Sequence, residues 1–419
     1  MSNAKVGSFS IASTDTVGTT IPITGLDFTP KGIICWWSGR TELVDTLGRS
    51  DIHAGMGYAS SPTSRGMAMG QGEDGVGTTN LDDAHHLDAL VGNIQTGGGT
   101  LDGLADLDSI EADGFTIIID QQFGLDLEIQ FLAFGGDLVE EVAVDLFQSQ
   151  NSIGTQDITS LSFQPTSVLM LSVGTGAGPP SIFTDMQFTV AAMKSTTEQG
   201  MVGSGSRNGQ GTAQGESLAH QGDEAFSTIR YTAGSMDNRF KFDSFLVNGF
   251  RVEHLQADDD DIIFMAIKGA NFAIGELQTR TDGANIVVNG LDFKPSAVMF
   301  FSHNGTEDDP ATGGRDSAIL SIGAATGPSE RSASYRSDVD NLGTSRLATA
   351  VEFDAVYINT DEAAAPAITG LMDLVSMESD GFITVMDDPD PTAAFVMYWA
   401  FGLEAAGGPH RRMLMGVTH

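Results

Sequence analysis

The feature that most constrains this chain is a pattern that returns three times along its 419 residues. A long-period repeat decides architecture before any local reading does, because each copy must fold as the same unit. Three landmarks recur in order. The first is an aliphatic, acidic, aromatic, proline signature: Gly25-Leu26-Asp27-Phe28-Thr29-Pro30, Ser160-Leu161-Ser162-Phe163-Gln164-Pro165 and Gly290-Leu291-Asp292-Phe293-Lys294-Pro295. An apolar run follows each, Ile33 to Trp37, Val168 to Leu171 and Val298 to Phe301. The second landmark is a turn dipeptide entering a strand, at Asp113-Gly114-Phe115, Asn248-Gly249-Phe250 and Asp380-Gly381-Phe382. The third is a closing apolar strand that begins at Phe131, Phe264 and Tyr398. From signature Phe to turn Phe the separations are 87, 87 and 89 residues. Order and spacing kept over periods of about 130 residues predict a tandem triplication.

A weaker correspondence lies mid-unit. Gly48 to Gly57 resembles Gly314 to Gly323, and the second copy offers the apolar run Phe188 to Ala192 at the same place. The expected fold is all-β, as three tandem homologous β-sandwich or jelly-roll-like modules at residues 1–137, 138–269 and 270–402. Residues 403–419 form a C-terminal arm. Short junctions imply modules that pack on one another.

Short apolar segments, many Gly, Ser, Thr and Asp turns, and no long 3.6-residue period favour strands over helices. The Asp-Gly and Asn-Gly turns are expected to open a terminal hairpin whose second strand is the closing landmark. Each signature proline is expected to end the preceding strand. The repeat core is then Phe28, Pro30, Phe115, Phe163, Pro165, Phe250, Phe293, Pro295 and Phe382. One short helix is expected over Asp82 to Val91. The Gly-rich stretches Gly66 to Gly99 and Gly200 to Gly222 read as long surface loops or partner-binding arms.

Charge narrows the function. Acidic residues number 56 against 20 basic, a net charge of −36, which disfavours nucleic acid and anionic membranes as partners. An apolar fraction of 41% is enough to build real cores. No run of about 18 apolar residues is present to cross a membrane. Met1-Ser2-Asn3-Ala4-Lys5 lacks the apolar stretch of a secretion signal, so synthesis in the cytoplasm is expected. The single cysteine, Cys35, sits between Ile34 and Trp36 and reads as a buried strand thiol.

No motif found here commits the chain to chemistry. Asp82-Asp83-Ala84-His85-His86-Leu87-Asp88 has metal-binding residue types, but its adjacent histidines point apart and nothing equivalent recurs. Asp258 to Asp261 invites calcium, yet its place in the repeat, shared with Asp387 to Asp390, reads as solvated turn acids. Gly70-Gln71-Gly72-Glu73-Asp74-Gly75 matches a phosphate-loop spacing in form only, since Glu73 and Asp74 would repel a pyrophosphate. Scaffold residues repeat and no polar constellation does. The expectation is therefore no catalytic residue, no cofactor and no metal. The tail departs from the acidic body: His410, Arg411, Arg412, Met413, Leu414 and Met415 form a basic, apolar-ended candidate docking arm.

The phrase Gly25-Leu26-Asp27-Phe28-Thr29-Pro30-Lys31-Gly32-Ile33-Ile34, with its Asp-Gly-Phe partner, resembles structural proteins of tailed bacteriophages. The resemblance covers the landmarks of all three copies and departs in the second, where Gly-Leu-Asp becomes Ser160-Leu161-Ser162. It implies a non-enzymatic virion protein, with capsid decoration or cement as the leading role. Such a chain would bridge neighbouring copies of the major capsid protein or other virion subunits, mimic a trimer near a three-fold site, and possess scope for self-assembly. The alternatives are a tail fibre, spike or baseplate protein that binds host surface glycan, and a Ca²⁺- or sugar-binding β module.

Overall fold

The computed structural model describes residues 3–404 apart from 42–43, 231–234, 307–316 and 362. Among the described residues there is no helix, and 32 strands form six antiparallel sheets. The chain is all-β.

The sheets come as three pairs, each of one large and one small sheet. The first stretch supplies β1 (Ala4–Ile11), β2 (Thr20–Thr24), β3 (Pro30–Trp37), β4 (Thr46–Gly48), β5 (Ile52–Ser61), β6 (Ser64–Gly72), β7 (Leu81–His86), β8 (Val91–Ile94), β9 (Leu101–Glu111), β10 (Gly114–Gln121) and β11 (Leu127–Gly135). The second supplies β12 (Glu141–Gln148), β13 (Gly154–Ile158), β14 (Ser167–Ser172), β15 (Ser181–Thr184), β16 (Met186–Met193), β17 (Gln199–Ser206), β18 (Gly215–Gln221), β19 (Phe226–Arg230), β20 (Ser235–Leu246), β21 (Gly249–Gln256) and β22 (Asp261–Lys268). The third supplies β23 (Asn271–Gln278), β24 (Asn285–Val288), β25 (Phe293–Ser302), β26 (Ser317–Gly327), β27 (Glu330–Val339), β28 (Leu347–Glu352), β29 (Tyr357–Thr360), β30 (Ile368–Glu378), β31 (Gly381–Asp388) and β32 (Phe395–Glu404).

The large sheets run β1-β11-β3-β5-β6-β7-β15, β12-β22-β14-β16-β17-β18 and β23-β32-β25-β26-β27-β28-β4. The small ones run β2-β10-β9-β8, β13-β21-β20-β19 and β24-β31-β30-β29. Two short strands cross between pairs: β15 leaves the second stretch to edge the first large sheet, and β4 leaves the first to edge the third.

Ladder registers agree from pair to pair. Ile33 faces Ala59, Ala59 faces Arg65, and Met67 faces His86. Val168 faces Met193, Met193 faces Gln199, and Met201 faces His220. Val298 faces Ala325, Ala325 faces Arg331, and Ala333 faces Glu352.

The apolar runs are continuous because both faces of each large sheet are buried. Ile33, Cys35 and Trp37 turn toward the small sheet, against Phe115, Ile117 and Leu107. Ile34 and Trp36 turn the other way, into a core shared with Leu169 and Leu171 of β14 and with Met299 and Phe301 of β25. Contacts cross this core directly. Phe134 meets Trp399 and Phe401 edge-on at 6.5 and 5.1 Å, and Trp399 Nε1 donates to Ser167 Oγ at 3.2 Å.

Several expectations need correction. No terminal hairpin forms: β10 lies in a small sheet and β11 in the large one, and likewise β21 and β22, β31 and β32. The Asx-Gly turns instead close hairpins with the strands before them, pairing Glu111 with Gly114, Leu246 with Gly249 and Glu378 with Gly381. Prolines 30 and 295 lie within strand entries rather than at the end of preceding strands, with Pro30 opening β3 and Pro295 inside β25. The residues expected to be helical lie instead in β7, the bend after it and the first residue of β8. Gly66 to Gly99 and Gly200 to Gly222 hold the largely buried strands β6 to β8 and β17 to β18 with shorter loops between them, rather than being surface loops throughout. Small residues there let sheet edges from different pairs approach closely, a reason invisible in composition.

The turn glycines answer to close approach. A Cβ on Gly114, Gly249 or Gly381 would stand 1.9, 1.8 or 2.0 Å from the carbonyl oxygen of Ile23, Ile158 or Val288 in the neighbouring strand. The next residue plants its ring in the core: Phe115 on Phe131, Phe250 on Phe264 and Phe382 on Tyr398, all edge-on at 5.2–5.3 Å. Gly114→Ala, Gly249→Ala and Gly381→Ala should each cost about 1–3 kcal/mol, since the adjoining strand must move. Gly77→Ala and Gly211→Ala, where a Cβ meets nothing within 4 Å, should stay within about 0.5 kcal/mol of the parent. Chemical denaturation of the five variants checks this, and equal losses at both classes of glycine would contradict it.

Candidate functional site: the three-way junction

The β6–β7, β17–β18 and β27–β28 loops meet and exchange backbone hydrogen bonds in a closed cycle. Thr79 donates to Gln210 O and accepts from Gly209 N, both at 2.9 Å. Ala213 donates to Leu342 O at 2.9 Å and accepts from Asn341 N at 3.0 Å. Ser345 donates to Val76 O at 2.8 Å and accepts from Gly75 N at 3.1 Å. Each of the three stands two residues before the strand that follows, β7, β18 or β28. The strand starts are tied in the same direction. Leu81 N donates to Asn208 Oδ1, Gly215 N to Asp340 Oδ1 and Leu347 N to Asp74 Oδ1, at 2.9–3.1 Å.

Side chains reinforce two of the three joints. Thr79 Oγ1 donates to Arg207 O and accepts from Gln210 N, each at 2.8 Å. Ser345 Oγ donates to Glu73 O at 2.7 Å and accepts from Val76 N at 3.1 Å. Ala213 has no hydroxyl to do the same.

Below the loops, three residues in one register position converge: Gly70, Ser204 and Arg336, which face Asp83, Ser217 and Thr349. The Arg336 guanidinium carbon lies 4.5 Å above the Phe188 ring, and its Nη2 donates to Ser204 Oγ at 3.3 Å. A Cβ on Gly70 would stand 3.6 Å from Arg336 Nη1. Burial pulls the Arg336 pKa down to about 10, with the Asp83 charge opposing that fall. Asp83, itself buried, is held well above the usual carboxylate range by desolvation, despite a hydrogen bond from Gln187 N. Burial likewise pushes Asp338 up to about 7 while the Ser206 hydroxyl donates to it. A cavity of about 10 Å³, room for roughly one water, is lined by Trp37, Gly55, Phe188, Leu320, Tyr335 and Arg336 among others. This is a polar joint under an apolar core, built to hold three sheet pairs together.

The residues singled out from the sequence fall as follows. All nine landmark positions are buried: Phe28, Pro30, Phe115, Phe163, Pro165, Phe250, Phe293, Pro295 and Phe382. Cys35 is fully buried in β3, and desolvation raises its thiol pKa far out of reach of neutral pH. Asp82, Asp83 and His85 are buried on β7, where His85 stacks on Phe183 and its Nε2 lies 3.5 Å from Asp261 Oδ2. The Asp258 to Asp261 run is not a solvated turn throughout. Asp260 and Asp261 are 4% exposed, and Asp260 accepts from Thr228 Oγ1 and Asn238 Nδ2 at 3.1 and 3.0 Å. Asp390 is buried as well, whereas Asp387 and Asp388 are exposed. Gly70 to Gly75 runs from the end of β6 into the junction loop, with no helix after it. His410 to Met415 and Gly314 to Asp316 lie outside the described residues.

Sequence reasoning missed Thr79, Ala213, Ser345 and Arg336. Extending the repeat alignment through the Gly-rich stretches would have placed the first three in one column, and Arg336 in a column with Gly70 and Ser204. Among the described residues, one set of side chains stands close enough to share a metal ion: Asp45, Glu352 and Asp354. No protein-family model matches the chain, and no curated protein matches it.

Ala213→Ser supplies the hydroxyl that Thr79 and Ser345 already use. It should stabilise the fold by about 0.5–1.5 kcal/mol, while Thr79→Ala and Ser345→Ala should destabilise it by about 1–3 kcal/mol. Thermal or urea unfolding checks both signs. A destabilising Ala213→Ser together with neutral Thr79→Ala would contradict the cyclic equivalence of these positions.

Proposed function

We propose that the chain is three tandem homologous β modules, at residues 1–137, 138–269 and 270–402, closed into a ring that mimics a trimer. We further propose that it is a non-enzymatic structural protein of a tailed-phage virion. In this reading it is a capsid decoration or cement protein, seated at a local three-fold where neighbouring capsid subunits meet. The observation that carries the reading is the cyclic exchange at Thr79, Ala213 and Ser345, each reaching the next sheet pair from the same place in its own. The matching registers from Ile33, Val168 and Val298 support descent of the pairs from one module. Covalent fusion fixes three copies at equal stoichiometry and lets their contacts diverge, as Gly70, Ser204 and Arg336 have done. A three-fold-like body with a net charge of −36 suits a solvated outer position on a particle.

A tail fibre or spike that binds glycan is the second reading. An open groove of about 680 Å³ between the second and third sheet pairs favours it, because Gln164, Lys194, Phe245, Asn271 and Asp292 mix polar groups with an aromatic ring as sugar sites do. The basic segment His410 to Met415 serves the leading reading as the contact to a capsid subunit.

Imaging the labelled chain in intact particles separates the two. Cement predicts signal over the whole shell at icosahedral stoichiometry, and particles lacking the chain should fail sooner under heat or osmotic shock. A chain ending at Glu404 should keep its melting temperature and occupy fewer sites. Signal confined to the tail, with lost adsorption on deletion, would overturn cement in favour of the second reading.

A further inference from the structure

The first and third sheet pairs meet along a short seam, where β4 pairs with β28 through Thr46, Leu47 and Gly48 against Val351, Ala350 and Thr349. One step beyond the Thr46–Val351 pair, Asp45 comes beside Glu352. Asp45, Glu352 and Asp354 each offer a carboxylate oxygen, and these oxygens lie within 4.8 Å of one another. Asp45 is oriented by Phe353 N, which donates to its Oδ1 at 2.9 Å.

Glu352 is the telling member. It is 7% exposed, and among the described residues no hydrogen bond or ion pair engages its carboxylate. Burial, and then the charges of Asp45 and Asp354, push its pKa up to about 7. The guanidiniums nearby are directed at other groups than these carboxylates: Arg331 pairs with Asp373 at 2.9 Å and donates its Nε to the Asp354 carbonyl oxygen, and Arg40 Nε donates to Thr46 Oγ1 at 2.9 Å. The other sheet pairs treat the same ladder position differently. There the residue is His86, opposite Met67, or His220, opposite Met201. His220 has Glu224 3.5 Å from its Nε2. Where the second pair sets an imidazole beside an acid, the third sets an acid beside two acids.

We propose that Asp45, Glu352 and Asp354 bind a hard divalent cation, Ca²⁺ foremost, that clamps the seam between the first and third sheet pairs. Three carboxylates with no nitrogen or sulfur donor select an oxygen-preferring ion, and waters complete the six to eight ligands that Ca²⁺ takes. The ion would join residues more than 300 positions apart in sequence and so close the ring where the chain's two end modules meet. The proposal does not depend on a virion role, because it concerns only the seam.

The test uses the full chain and CaCl₂ alone. Ca²⁺ should raise the melting temperature, chelator should reverse the rise, and calorimetric titration should give one site. Glu352→Gln should weaken binding at least tenfold and remove the thermal shift, while the Ca²⁺-free variant should melt at or above the Ca²⁺-free parent. Exposed Asp354→Asn, which carries little risk to folding, should weaken binding in the same direction. Asp387→Asn, an exposed acid elsewhere, should leave binding unchanged. No thermal shift with Ca²⁺, or a shift that survives in both Glu352→Gln and Asp354→Asn, would overturn the proposal whatever the particle imaging shows.

Discussion

A β-strand with large apolar side chains on both faces cannot be satisfied by a two-layer sandwich. One face meets the small sheet, and the other still needs cover. That constraint governs this molecule. Ile34 and Trp36, Leu169 and Leu171, Met299 and Phe301 point away from their own small sheets into a core of 36 buried residues drawn from all three pairs. Burying a large apolar side chain is worth roughly 1.5–3 kcal/mol, against about 1 kcal/mol net for a hydrogen bond. The shared core therefore supplies most of the driving force for assembly. The loop exchanges at Thr79, Ala213 and Ser345 add little by comparison. Their contribution is register, because a slip at any joint would strand paired backbone groups away from water.

Near-symmetry has a limit at the centre. Three identical large or charged residues could not share one point, and the sequence resolves the conflict by divergence: Gly70 leaves space, Ser204 offers an oxygen, and Arg336 fills the position. Arg336 then stands over Phe188 with Asp83 as its distant counter-charge. Three identical chains could not make this assignment, whereas one chain carrying all three sheet pairs can.

The landmarks were legible in the sequence because they lie where each sheet pair is most alike. Phe115, Phe250 and Phe382 must reach the same partner ring, and the glycine before each must clear the same carbonyl. The junction was not legible, for two reasons. Gly- and Ser-rich strands such as β6 and β17 have the composition of loops, and only a neighbouring pair explains their small residues. Buried acids such as Asp260 look solvated in a run of four aspartates, because the groups that satisfy them, Thr228 and Asn238, are distant in sequence. The supposed terminal hairpin failed for a related reason. A turn followed by an apolar strand, a gap and another apolar strand reads the same whether the second strand pairs with the first or crosses to the opposite sheet.

If the shared core is what holds the three sheet pairs, none of them is stable without the others. Differential scanning calorimetry of the intact chain tests this most directly. The account predicts one transition, with a van't Hoff enthalpy equal to the calorimetric enthalpy of the whole molecule. Separate transitions for the three pairs, or a fragment of residues 138–269 that melts on its own at the temperature of the full chain, would contradict it.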